Sequence, residues 1–170
     1  MQTINRRQWM AFAGFAAALV LAGCGFRLRG LGETYQYPFQ SIYIAGASAQ
    51  VNALKRMLAA QKVVVTDKAE GADAVLAVLD DREESESSAL STSAQVREVE
   101  LRRYFNFSLT DANGQVLIEN APISLRRFVS YNESQASAKS QEFEILFRDM
   151  RNDVVQQVLR RLAAAGKKPG

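Results

Sequence analysis

Apolar and polar side chains alternate most regularly in the middle of the chain. From residue 99 to 109 every second position of the chain is apolar except Arg103, which is typical of a strand with one buried face. Residues 111–114 read Asp-Ala-Asn-Gly, a turn signal, and Val116–Ile118 begins a return strand, so a hairpin is predicted. Pro122 predicts a bulge or a sheet edge, after which the alternation resumes over residues 123–131.

A strand, a helix and another strand are predicted before this hairpin. Ser41–Ala45 is rich in β-branched and aromatic residues, as strands are. Residues 48–58 begin with a serine suited to cap a helix, and their apolar positions recur at spacings of three and four. Residues 63–66 form a brief extended piece, and residues 73–80 are apolar between two acids, as in a strand covered on both faces. This order favours a parallel pair with a right-handed crossover.

The last predicted element is a long amphipathic helix from about residue 137 to residue 165, ended by Gly166 and Pro169. Residues 80–93 are instead rich in acids and serines, which predicts either a polar strand extension or a mobile loop. The predicted fold class is therefore α+β, with two helices packed on one side of a mostly antiparallel sheet of about four strands. One parallel βαβ pair makes that sheet mixed, and the whole forms a two-layer sandwich.

The N-terminal segment predicts a lipoprotein signal peptide. Arg6 and Arg7 precede an uncharged apolar run at residues 9–21, which is too short to span a bilayer, because spanning needs about 20 apolar residues. The sequence Leu-Ala-Gly-Cys that ends at Cys24 resembles the bacterial lipobox. We therefore expect Cys24 to carry an S-diacylglycerol and an N-acyl chain such as palmitate. Gly25, where lipoproteins of the inner membrane typically have aspartate, favours the periplasmic side of the outer membrane.

Four parts are predicted along the chain: a cleaved signal peptide (1–23), a lipid anchor and tether (24–39), a single α+β domain (40–165) and a tail (166–170). Removal of the signal peptide leaves 147 residues, the size of one domain. It also removes two arginines and no acid, so the formal net charge falls from +3 to +1. This balance gives no reason to expect nucleic acid as a partner.

The composition excludes several kinds of catalytic site. The chain has no histidine and a single cysteine, so serine–histidine triads and the usual zinc sites lack their central residue. No glycine-rich nucleotide-binding motif is present. We expect no enzymatic activity, no catalytic residue, no metal and no cofactor apart from the covalent lipid on Cys24.

Two arginines interrupt the apolar faces of the predicted strands. Arg103 lies between apolar positions of its strand, and Arg127 does the same in the later strand. A buried unpaired guanidinium is costly, so each must reach a carboxylate, a sheet margin or an external anion. Arg126, Arg127 and Lys139 also concentrate positive charge with few acids nearby in the sequence, beside Phe128. Guanidinium groups pair well with phosphate, so these residues are candidates for binding a lipid phosphate.

Several short motifs, taken in order, resemble the LptE family of lipopolysaccharide-assembly lipoproteins. The most specific is Cys-Gly-Phe-Arg-Leu-Arg-Gly at residues 24–30, directly after the lipobox. The likeness continues through residues 41–60, 97–109 and 122–128, and through the Ala-Lys step that ends at Lys139. It closes with Asp-Met-Arg and Leu-Arg-Arg-Leu in the last helix, and so covers nearly all of the mature chain.

The resemblance implies a stoichiometric partner rather than a catalyst. Members of the LptE family plug the LptD β-barrel in a near 1:1 complex, help it assemble and bind lipopolysaccharide. Lys139 matches a basic position implicated in that binding. A second basic position of the family has no clear match, and Arg97 is the nearest substitute. The candidate lipopolysaccharide-binding residues are thus Arg126, Arg127, Lys139, Arg97 and Arg103.

Two other function classes fit the same sequence features. An auxiliary lipoprotein of an inner-membrane lipid transporter would share a lipid-anchored α+β domain, but it would not bring a β-barrel partner. A cell-envelope hydrolase that uses carboxylates alone would need two acids converging in a cleft.

Overall fold

The computed structural model describes residues 35–90, 96–132 and 136–166. The predicted signal peptide, Cys24 and the first part of the tether lie outside the described residues, as do residues 167–170 of the tail. The described elements, in chain order, are β1 (Ser41–Ala45), α1 (Ala49–Ala60), β2 (Val64–Thr66), β3 (Ala74–Leu90), β4 (Val96–Asp111), β5 (Val116–Ile118), β6 (Ile123–Ser130) and α2 (Ala136–Ala164).

The strands form a mixed open sheet under two helices, so the predicted α+β class is confirmed. The order is β2-β1-β3-β4-β5, and β6 pairs with β4. β1 runs parallel to both β2 and β3, and the other pairs are antiparallel. The predicted count of about four strands is wrong, because the described sheet has six. β2 and β5 have three residues each, too few to show a period, so β2 was predicted only as an extended piece. Pro122 separates β5 from β6, which were predicted as one return strand.

β3 and β4 form a long antiparallel pair that extends beyond β1, β2 and β5, and β6 pairs with the extended part of β4. β1 pairs only with residues 74–77 of β3, whereas β4 pairs with β3 along nearly its whole length. The register shifts at Leu79, between Val78 and Asp80, so the side chains that face the helices change from even to odd positions of β3. Of the two alternatives for residues 80–93, the strand extension is confirmed as far as Leu90.

Two apolar clusters lie between the sheet and the helices. The larger one joins the β1–β3 region, the second half of β4 and both helices; its most buried members include Phe105, Phe107, Leu54 and Val158. The smaller one lies nearer the start of β4 and consists of Val99, Leu101, Val129 and Met150, with Phe143 and Phe147 packed against it. Burial of each such side chain contributes about 1.5–3 kcal/mol, so these clusters hold the helices to the sheet.

Both helices lie close to the bounds that the sequence predicts. α1 begins as predicted after Ser48, whose Oγ accepts a hydrogen bond from the Val51 amide at 3.2 Å. α2 spans 29 residues, within one residue of the predicted bounds. Across residues 35–90, 96–132 and 136–166, neither helix combines the length and the apolarity that a membrane span requires.

Residues 35–39, here called the aromatic arm, pack on the domain although they belong to the predicted tether. Phe39 is buried in the larger cluster, and its ring stacks on Tyr37 with centroids 5.5 Å apart. The Tyr37 hydroxyl donates a hydrogen bond to Gln61 Oε1 at 2.6 Å. Burial raises the pKa of Tyr37 well above its usual value, with a smaller contribution from Tyr35. Alternate aromatic residues thus attach the start of the domain to the end of α1.

Asp73 links the aromatic arm to the start of β3. Its Oδ2 accepts hydrogen bonds from the backbone amides of Ser41 at 2.8 Å and Gln40 at 3.0 Å. The Ser41 hydroxyl in turn accepts a hydrogen bond from the Asp73 amide at 2.9 Å. Hydrogen bonds from Ser41 first, and then from Gln40, lower the pKa of the Asp73 carboxyl, and slight desolvation opposes them.

Asp73→Asn is expected to flatten the acid dependence of stability. The folded-state pKa is lowered, so the carboxylate contributes fully above the unfolded pKa and its contribution is lost as pH falls through the folded value. The variant should melt below the wild type near pH 6, and the difference should shrink as the pH falls below the ordinary pKa of an aspartate, about 3.9. Circular dichroism melts across this range test it, with Asp149→Asn, at an exposed position of α2, as the control. A difference that is constant with pH would contradict the prediction.

Candidate functional site

A buried arginine forms the centre of a charged layer between the sheet and the helices. The Arg103 side chain is only 2% exposed and pairs with the Asp81 carboxylate. Its Nη1 donates hydrogen bonds to the backbone carbonyls of Arg82 at 2.8 Å and Tyr104 at 2.7 Å. Of the alternatives left open by the sequence for Arg103, the structure selects the carboxylate partner.

Both helices join this group. Gln50 of α1 accepts a hydrogen bond from Arg103 Nη2 at 3.3 Å and donates one to the Arg151 carbonyl at 3.1 Å. Arg151 of α2 donates to both carboxylate oxygens of Glu83, at 2.8 and 3.0 Å. Glu83 Oε1 also lies 3.4 Å from Arg103 Nε. We call Arg103, Asp81, Glu83, Gln50 and Arg151 the Arg103 layer.

The Arg103 layer separates the two apolar clusters. Along β4, Leu101 belongs to the smaller cluster and Phe105 to the larger one. Along α2, Met150 and Val154 divide in the same way. Charged side chains cannot join an apolar cluster without losing hydration, so the core is built as two lobes. The lobe beyond the layer is here called the tip end; it contains the paired ends of β3 and β4 at Leu90 and Val96, the end of β6 and the first half of α2.

Arg126 lies on the face of the sheet opposite the helices. Its side chain is 63% exposed, and its Nε lies 3.7 Å from the nearly buried Glu100 Oε1. Arg102 hydrogen-bonds the same carboxylate, and this bond, followed by the charges of Arg102 and Arg126, lowers the pKa of Glu100 against the opposing effect of desolvation. Arg126 therefore belongs to a polar network on the open face.

Arg127 points to the helix side of β6, as its place in the alternating pattern predicts. It lies opposite Leu101 in the register, yet its side chain is 49% exposed. Its Nη2 lies 3.3 Å from the Asp153 carboxylate of α2. β6 is an edge strand at this level, so the side chain extends past the core to the helix surface.

Arg97 and Lys139 lie at the tip end. Arg97 is exposed at the start of β4 and forms no ion pair with any residue of the described part of the chain. Lys139, in the first turns of α2, is 15% exposed and its Nζ lies 2.7 Å from Glu142 Oε2. The rings of Tyr131 and Phe143 are paired nearby, with centroids 6.4 Å apart, and the Tyr131 amide donates to the Arg97 carbonyl at 2.8 Å.

The fold therefore divides the candidate arginines and lysine rather than gathering them. Neighbouring positions of a strand face opposite ways, so Arg126 is separated from Arg127. Arg103 is enclosed, whereas Arg97 and Lys139 share the tip end with two aromatic rings. The scarcity of acids near these residues in the sequence does not predict free cations in the fold. Arg126, Arg127 and Lys139 each have a carboxylate partner there.

Sequence reasoning missed three contributors to these sites. Asp81 and Glu83 lie in the acidic segment, and only the shift at Leu79 turns them towards Arg103. Glu100 lies on the polar face of its strand, where the sequence gives no sign that Arg102 and Arg126 enclose it. In the sequence, the only sign of these partners for Glu100 was the presence of Arg102 and Arg126 in the two strands that pair there.

Residues 39–162 match the family described as LptE: Lipopolysaccharide-assembly. The chain belongs to the LptE family. No curated protein sequence matches it significantly.

Solved structures support the same family. The solution structure of uncharacterized lipoprotein B from Nitrosomonas europaea is 33% identical, with a TM-score of 0.70, over 82% of this chain and 91% of that one. The rare lipoprotein B from Shewanella oneidensis is 22% identical, with a TM-score of 0.64, over 73% and 94% of the two chains; at that identity it supports the fold alone. This LptE-family chain is thus a lipopolysaccharide-assembly lipoprotein of the cell envelope.

Proposed function

We propose that this LptE-family chain is a non-catalytic outer-membrane subunit that plugs an LptD β-barrel and binds lipopolysaccharide at its tip end. The family match over residues 39–162 is the observation that carries the proposal. The chain is anchored on the periplasmic side by lipid on Cys24, following the lipobox and Gly25.

The surface of the domain is suited to a polar, water-filled enclosure. The helices cover only one face of the sheet, and the opposite face carries a network of oppositely charged side chains. Arg82 lies 3.5 Å from Asp80 and 3.4 Å from Glu84, and Arg102 lies 2.8 Å from Glu86. Such mutually neutralised charges stay hydrated at little cost and fit a polar wall better than acyl chains.

Crosslinking in cells followed by purification tests whether the chain binds a β-barrel protein. After crosslinking in cells, the full chain is expected to co-purify with one large β-barrel protein in near-equal amount. Depletion of the chain should lower assembled barrel and surface lipopolysaccharide together. Recovery of inner-membrane transporter subunits instead, with an unchanged barrel level, would support the auxiliary-lipoprotein alternative and contradict the plug.

The tip end has the chemistry to bind a phosphorylated lipid. Arg97 is exposed and free of ion pairs within the described part of the chain. Lys139 is held by Glu142 alone among the described residues, so a phosphate can compete for it. The partly exposed Tyr131 and Phe143 rings offer apolar surface beside both cations. A phosphate group with attached acyl chains needs this mixture.

Arg97→Ala with Lys139→Ala is expected to weaken lipopolysaccharide binding by roughly tenfold for each charge-assisted hydrogen bond that the substitutions remove. The melting temperature should change little, since Arg97 forms no ion pair with the described residues and Lys139 pairs only with the half-exposed Glu142 among them. Affinity is measured on the mature chain at low and high salt, because screening should weaken the wild type more than the variant. Arg126→Ala removes one cation from the opposite face and is the matched control. A larger loss in the control would move the site to the open face.

A further inference from the structure

β3 has a free edge along most of its length. β1 pairs with one side of β3 only at residues 74–77, whereas β4 pairs with the other side as far as Leu90. Within the described part of the chain, no strand pairs with the β1 side of residues 80–90, here called the β3 edge. An edge strand presents a row of unpaired backbone N–H and C=O groups. The β3 edge is longer than a typical strand of about 5–6 residues, so it offers many such groups.

A cleft opens at the inner end of the β3 edge, where β1 has ended and the chain turns into α1. It has a volume of about 240 Å³. Residues 48–50, at the start of α1, line one side of the cleft, and residues 81–83 line the other, together with Arg103 and Arg151. The start of α1 therefore does not seal β3 at this point, and an extended chain has room to begin beside it.

The β3 edge carries more acids than bases. Its charged side chains are one arginine, Arg82, and five carboxylates: Asp80, Asp81, Glu83, Glu84 and Glu86. Asp81 and Glu83 point towards the helices, where the two arginines of the Arg103 layer neutralise them. The other three carboxylates lie on the opposite, open face of the sheet.

The charges on the open face are not balanced beside the β3 edge. Asp80 and Glu84 share the guanidinium of Arg82, at 3.5 and 3.4 Å. Glu86 lies 2.8 Å from Arg102, which also pairs with a carboxylate of β4. The side chains of these three acids are 35% to 56% exposed. Each arginine thus serves two carboxylates, and negative charge remains along this edge for a cationic partner.

We propose that the β3 edge binds an extended, basic segment of the barrel protein as an additional strand of the sheet. Backbone hydrogen bonds hold this segment, and lysine or arginine side chains at alternate positions lie about 5 Å from Glu84 and Glu86. A second copy of this chain fits poorly, because pairing two β3 edges would place carboxylates beside carboxylates. This inference rests on the proposed barrel partner and names the surface that the partner uses.

Hydrogen exchange measured by mass spectrometry tests for the added strand. The lipidated full chain is measured in detergent, alone and after co-purification with the barrel protein. We expect the amides of residues 80–90 to exchange several-fold more slowly in the complex, because the added strand bonds those that point away from β4. Residues 123–130 of β6 provide the internal comparison, since β6 also has a free edge among the described strands. Equal slowing at both edges would overturn the proposal.

Glu84→Lys with Glu86→Lys tests the role of charge. This variant should recover several-fold less barrel protein and should lose the slow exchange at residues 80–90. Its melting temperature should stay near that of the wild type, because both carboxylates are partly exposed. Glu70→Lys with Glu119→Lys makes the same change in net charge at two exposed positions outside the β3 edge and is the matched control. Equal losses of barrel protein in the two variants would contradict recognition by charge at this edge.

The wild-type results separate failure of the added strand from failure of the barrel partner. A chain that recovers no barrel protein would contradict the proposed function and this inference with it. A recovered barrel without slowed exchange at residues 80–90 would contradict the added strand alone. Slow exchange that appears in the isolated chain and increases with its concentration would assign the β3 edge to a second copy, which would also overturn the proposal.

Discussion

Arg103→Met is expected to lower the free energy of unfolding by about 3–5 kcal/mol, because removing one partner leaves buried charge without compensation. The variant keeps an unbranched side chain of similar length but leaves the largely buried Asp81 without its partner, whereas Glu83 keeps Arg151. Gln50 loses the donor to its Oε1 as well. Chemical denaturation monitored by circular dichroism measures the loss.

Arg82→Met is the matched control for this prediction. Arg82 also pairs with two carboxylates, and it stacks over the Tyr104 ring at 4.4 Å, but its side chain is 55% exposed. Exposed pairs contribute about 0–1 kcal/mol, so the control should unfold near the wild-type midpoint. Adding Asp81→Asn to Arg103→Met should recover part of the loss, since the carboxylate that lost its partner is no longer charged. Equal effects of Arg103→Met and Arg82→Met would contradict the role assigned to the Arg103 layer.

Cys24→Ala is expected to abolish lipid attachment completely. Diacylglycerol can be transferred only to the thiol, and Cys24 is the only cysteine of the chain. The domain should still fold, because the described core begins with the aromatic arm, eleven residues later. Metabolic labelling with a radioactive fatty acid, followed by membrane fractionation, gives the readout. A labelled Cys24→Ala protein would contradict the anchor.

Gly25→Asp is the control that keeps the thiol. The variant should label as strongly as the wild type, yet fractionate with the inner membrane, because aspartate at this position is typical of inner-membrane lipoproteins. Outer-membrane localisation of Gly25→Asp would show that residue 25 does not direct sorting in this chain, while leaving the lipid attachment intact.

Local patterns in the sequence determined most of the secondary structure. The alternation over residues 99–109 predicted the central part of β4, and Ser48 followed by helical spacing predicted α1. These features depend on neighbours two to four residues apart, so they can be read without knowing the fold. The sequence predicted an extended piece at residues 63–66 and one return strand from Val116, but only pairing with β1 and β4 makes these β2 and two separate strands, β5 and β6, so the predicted strand count was wrong.

Only the tertiary structure decided what the charged residues do. The sequence established that Arg103 needs a partner, but a one-residue register shift at Leu79 determines that Asp81 and Glu83 provide it. The sequence grouped Arg126 with Arg127 and Lys139, whereas the strand places the two arginines on opposite faces. The sequence also assigned residues 35–39 to the tether, although Phe39 completes the core. Periodicity records which side of an element is buried, but partners distant in the chain meet only after register and packing are set.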